Sequence, residues 1–150
     1  MSRVFNSTFE NTLRVLLLLN EFQRPMDLDV ICAIDFLTVY GKSCGVTERD
    51  INGTSPYVFS EYASRRPVLN LTVNEMILTG LMDVEQTEKG FQYSLSEQGN
   101  HTAASLSGVY ADEYRESARM IKGFMADKPD KNVLAYITSM ASRQMRGVKR

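Results

Sequence analysis

Residues 57–99, YVFSEYASRRPVLNLTVNEMILTGLMDVEQTEKGFQYSLSEQG, decide the fold. Tyr57–Arg66 reads as a short helix. Pro67 fits the first turn of another, where the missing N–H has no partner to lose. In that second helix Leu69, Val73, Met76 and Ile77 share a face, and Gly80 ends it. From Leu81 the period changes to two. Met82 and Val84 alternate with polar neighbours, as do Phe91, Tyr93 and Leu95 after Glu88-Lys89-Gly90, the signature of a hairpin. Ser96 then caps a helix beginning Ser96-Glu97-Gln98-Gly99. Helix, break, helix, glycine, hairpin and capped helix is the order of a winged helix-turn-helix. The expectation is a mainly α chain with a β-hairpin wing. The alternative is another small α+β arrangement whose hairpin merely covers the core.

Working outward, Ser7 or Thr8 caps a first helix through about Glu21, with Phe9, Leu13, Leu16 and Leu17 on one face. Val15, Leu18 and Leu19 widen that face until little polar surface remains, which predicts the central helix of the core or of an interface. Arg24-Pro25 interrupts, and Asp27 caps a second helix to about Tyr40, stopped by Gly41. Residues 41–56 read as a loop. Beyond Ser107-Gly108, Tyr110, Tyr114, Ala118, Ile121 and Met125 form a stripe at helical spacing. After a break at Asp127–Asp130, Leu134, Ile137, Ala141 and Met145 align on a last helix, and the tail is basic at Arg143, Arg146, Lys149 and Arg150. The organisation expected is a winged-helix domain over 1–107 and a C-terminal extension of amphipathic helices over 108–150 packing on it.

The chain of 150 residues has an ordinary apolar fraction of 43% and a net charge of −1, so it buries a core and lacks the overall basic excess of a dedicated nucleic-acid binder. It holds no GxxxxGK[ST] phosphate loop and no GxGxxG fingerprint. His101 is the only histidine, with no second histidine or nearby cysteine to complete a metal set. The acid pairs Asp27/Asp29 and Asp112/Glu113 stand at helix starts, where the macrodipole favours anions. Cys32 lies in an apolar run and reads as a buried thiol, while Cys44 sits in a glycine-flanked loop open to exposure. No catalytic residue, metal or cofactor is expected. The longest apolar stretch, Val15–Leu19, is too short to span a bilayer, and no basic-then-apolar signal opens the chain, so a cytoplasmic location is expected.

Macromolecular binding is what remains. The reading helix of a winged helix would be Pro67–Thr79, which offers Asn70, Thr72, Asn74, Glu75 and Thr79 but no Lys or Arg. Arg65, Arg66 and Lys89 are the candidate contacts to a DNA backbone, enough for weak and non-specific binding. The plainer role for Arg65-Arg66 is pairing with Glu61 or Glu75. Protein binding has more support: Met120, Met125, Met140 and Met145 accompany the Tyr110/Tyr114 stripe, and such side chains suit adaptable interfaces. Leu13, Leu16, Leu17, Tyr110, Tyr114 and Ile121 are the candidate interface. The same residues would equally serve as core.

Three segments, LRVLLLLNEFQRPMDLDVICAIDFLTVYG from Leu13, FSEYASRRPVLNLTVNEMILTGLMDVEQTEKGFQYSLSEQG from Phe59, and YADEYRESARMI from Tyr110, resemble the middle component of bacterial ABC-three-component systems. Those systems include Lamassu-type defence against phage and plasmids. The resemblance covers most of residues 8–125 and rests on the order of segments. It implies a small winged-helix subunit without enzymatic activity. The implied partners are an SMC-like ABC ATPase and an effector subunit that is often a nuclease. A winged-helix transcriptional regulator, dimerised by its C-terminal helices, is the competing expectation.

Overall fold

Asp27 starts the helix around which the others are arranged. In this computed structural model, which describes residues 8–53 and 55–148 with side chains as far as Gln144, Asp27 Oδ1 accepts the N–H of Val30 at 2.8 Å. It thereby caps α2 (Leu28–Val39). Every residue of α2 except Asp29 is buried. Before it comes α1 (Thr8–Phe22); after it come α3 (Val58–Leu78), a hairpin of β1 (Met82–Thr87) and β2 (Gly90–Leu95), then α4 (Glu97–Ser105), α5 (Val109–Met125) and α6 (Asp130–Val148). The chain is mainly helical with one small antiparallel hairpin among the described residues.

Helices α1, α3, α5 and α6 all pack on α2, so α2 is the central helix. The greasy run of α1 pointed to α1 instead. Both helices are apolar nearly all round, but α1 keeps Phe9 in solvent, whereas α2 is enclosed through to its C-terminal cap at Tyr40. One hydrophobic cluster joins Leu17, Ile34, Val73, Tyr93, Tyr114 and Ile137, so α5 and α6 share the core of the preceding elements. No helix among the described residues is long and apolar enough to cross a membrane.

The expected break at Pro67 does not occur. Val58–Leu78 is one continuous helix with Pro67 inside it. Proline removes one backbone hydrogen bond, but Pro67 and Ala63 both face solvent, so the freed carbonyl is not sealed in the core. The residues just before the proline are also held to α2: Arg65 bonds Asp35, and Arg66 bonds Asp29 at 2.6 Å. Tertiary ties thus override a local breaking signal.

The hairpin is as read. Its pairs run from Met82↔Leu95 to Thr87↔Gly90, leaving Glu88-Lys89 as a two-residue turn. Gly90, with φ of 108°, supplies the left-handed residue that closes it. A further bridge links Met26, just before α2, to Tyr93: each N–H donates to the other carbonyl, at 3.0 and 2.7 Å. Ser96 accepts the N–H of Gly99 and donates to the Gly80 carbonyl at 2.6 Å, which ties α4 to the turn after α3. Gly99 lies against the Leu81 carbonyl so closely that a Cβ would collide with backbone. Ser7, Thr54 and the basic tail residues Lys149 and Arg150 lie outside the described residues, as do the side chains of Met145 and Arg146.

Candidate protein-interaction surface

The proposed interface residues do not form a surface. Leu16, Leu17, Tyr114 and Ile121 are buried within the chain's own core, and Leu13 and Tyr110 are half-buried against it. Helical spacing identified the stripe on α5 correctly; its cover is α1 and α2 of the same chain.

At the centre of that packing lies a charge cluster that the sequence reading missed. Asp35, on α2, is buried and takes Arg14 of α1 through Nε at 3.0 Å and Nη2 at 2.5 Å. Arg65 of α3 donates to the same carboxylate at 3.1 Å and to Asn11 Oδ1 at 3.0 Å. The Tyr114 hydroxyl of α5 donates to Asp35 Oδ1 at 2.8 Å. One carboxylate therefore ties four helices. Burial alone would raise its pKa, but the guanidinium groups of Arg14 and Arg65 and the bonds from Arg14 and Tyr114 hold it down at about 2. Burial and the Asp35 charge push the Tyr114 hydroxyl well up, so it stays a protonated donor. A signal was present: Arg14 and Asp35 are isolated charges within apolar runs, and buried charges require partners.

Arg65 is consequently no DNA contact. It is buried and committed to Asp35 and Asn11. Arg66 is exposed but paired with Asp29, and Lys89 is exposed at the hairpin turn. The groove between hairpin and helices, lined by Asp27, Asp29, Arg66, Asn70, Lys89 and Phe91, holds both signs of charge.

Groups suited to chemistry are scattered. Cys32 and Cys44 are both buried, and burial pushes each thiol up to about 12. Its loop left Cys44 open to exposure, but it is buried: Tyr136 of α6 donates to the Cys44 carbonyl at 2.5 Å. His101 is exposed on α4. Among the described residues no group of three or more His, Cys, Asp or Glu is placed to hold a metal ion.

What does face outward is the far side of α3. Val68, Leu71 and Leu78 are exposed there, with Leu71 at 72% and Leu78 at 86%. Their spacing of three and seven aligns them with Glu75 on one side of the helix. The buried side carries Leu69, Thr72, Val73 and Met76. Val84 and Phe91 of the hairpin are exposed as well. A second apolar face on α3 was not anticipated, because Leu71 and Leu78 break the polar side that the core stripe implied.

Comparison with known proteins gives one match. Residues 4–146 match the family described as ABC-three component (ABC-3C) system Middle Component 2. No curated protein and no solved structure matches. The match spans nearly the whole chain, and the chain belongs to this family of middle components. It is therefore a component of an ABC-three-component system and partners the other components of that system.

Proposed function

We propose, from that membership, that this middle component is the non-catalytic winged-helix adaptor of a Lamassu-type defence complex in the cytoplasm. It docks on an SMC-like ABC ATPase and helps hold an effector subunit, often a nuclease, inactive until foreign DNA is sensed. The family match over residues 4–146 carries the reading. The topology supports its winged-helix part: helices α1, α2 and α3 precede the hairpin and α4 follows it, and the Met26–Tyr93 bridge ties the segment before α2 to the hairpin's second strand. The chemistry supports its non-catalytic part. The buried ionisable groups serve packing, with Asp35 joining four helices and both thiols held protonated.

The regulator reading draws no support from the faces of α5 and α3. Dimerisation through α5 would need an outward stripe, and Tyr114, Ala118 and Ile121 face inward. Sequence reading would need a basic or amide-rich helix face, and the outer face of α3 carries Val68, Leu71, Glu75 and Leu78. Co-expression with the ATPase component tests the proposal. A stable complex whose ATP turnover requires only the ATPase component is expected. ATP hydrolysis by the isolated middle component, lost in a point mutant of it, would refute the non-catalytic assignment.

A further inference from the structure

We infer that the outer face of α3 and the adjoining hairpin form the docking surface for a basic, apolar segment of a protein partner. The inference rests on the adaptor reading and identifies the surface and the chemistry it recognises. Its first ground is the apolar stripe Val68, Leu71 and Leu78, which no other part of the described chain covers. Exposed leucines aligned on one helix face are the usual anchors of a helix or strand laid alongside.

The second ground is charge. Residues 67–98 hold Glu75, Asp83, Glu85, Glu88 and Glu97 against the single base Lys89, a net charge of −4 in a chain whose total is −1. All five carboxylates are exposed. None of them makes an ion pair within the described residues. Glu75 lies within the stripe, and Ser96 Oγ on the Gly80 carbonyl brings the start of α4, with Glu97, beside the end of α3. Negative potential around an apolar stripe selects a partner of positive charge, speeds its encounter and fixes its register.

The same potential excludes the competing occupants. A phosphate backbone is repelled where a DNA-reading winged helix would need cations. An anionic membrane surface is repelled for the same reason. A second copy related by a two-fold axis would set this acidic face against itself.

The test uses the purified full-length chain and the ATPase component of the same system. Binding is measured by calorimetry at rising NaCl, alongside a 30-base-pair duplex. The variants are L71S/L78S and the charge reversal D83K/E85K/E88K. Both alter exposed side chains, and circular dichroism checks that they fold. We expect each to weaken ATPase binding by about tenfold or more, salt to weaken the wild type, and the duplex to bind only the charge-reversed variant. Unchanged affinity in both variants, with wild-type binding intact, places the interface elsewhere and overturns the inference alone. Duplex binding by the wild type that competes with the ATPase overturns it in favour of nucleic acid. A wild type that binds no ATPase at all overturns the adaptor reading as well.

Discussion

Two apolar stripes of this chain, on α5 and on α3, have opposite fates. The α5 stripe of Tyr114, Ala118, Ile121 and Met125 is buried, where its sequence left interface and core both open. The α3 stripe of Val68, Leu71 and Leu78 is exposed, although its helix already spends another face on the core. The difference lies in what each stripe meets. Tyr114 meets a buried carboxylate that needs a donor, and Ser117 beside it donates to the Thr38 carbonyl at 2.5 Å. The outer side of α3, at Leu71 and Leu78, is left exposed by the described residues. Burial follows from polar anchors that fix a helix in place as much as from apolar width.

Substitutions that attack the buried side should have the largest effects. Asp35→Ala leaves two guanidinium groups buried near one another, and breaking such a cluster costs on the order of 3–5 kcal/mol. Denaturant unfolding should register that loss. A midpoint matching wild type would mean the cluster is open to water.

The pH dependence sharpens the same point. An aspartate in the unfolded chain titrates near ~3.9, whereas Asp35 in the fold titrates at about 2. Its contribution, about 2–3 kcal/mol, is present above roughly pH 4 and is lost as pH falls through about 2. Acid titration of stability should therefore be shallower in Asp35→Asn than in wild type between those values. Parallel curves would remove Asp35 from the account.

Smaller effects are expected at local devices. Gly99→Ala drives a methyl group into the Leu81 carbonyl and should cost about 1–3 kcal/mol through displacement of α4. Asp27→Ala removes the cap of α2 and should cost about 1 kcal/mol. Thermal melts of the two variants give the ranking, and an Asp27→Ala loss well above that of Gly99→Ala would reverse it.

Much of the fold was legible because local chemistry agreed with it. Asp27 and Ser96 cap where their side chains predicted, and the change of period after Gly80 located both strands. Pro67 misled because the ties of Arg65 and Arg66 to α2 are long-range, and no local rule sees them. The candidate surface was less legible. Periodicity marks an apolar stripe but carries no information on whether another helix of the chain will cover it. Arg65 read as a cation for phosphate for the same reason: its partner Asp35 is 30 residues away in sequence.

The contrast between the stripes is tested most directly by thermal unfolding of the isolated chain with Tyr114→Ala and Leu78→Ser measured side by side. Tyr114→Ala removes a fully buried ring and a donor to Asp35, so it should lose about 3–5 kcal/mol and melt far below wild type. Leu78→Ser, at an exposed position, should stay within about 0.5 kcal/mol. A Tyr114→Ala protein that melts with the wild type, or a Leu78→Ser protein that melts as early as Tyr114→Ala should, would contradict the assignment of one stripe to the core and the other to the surface.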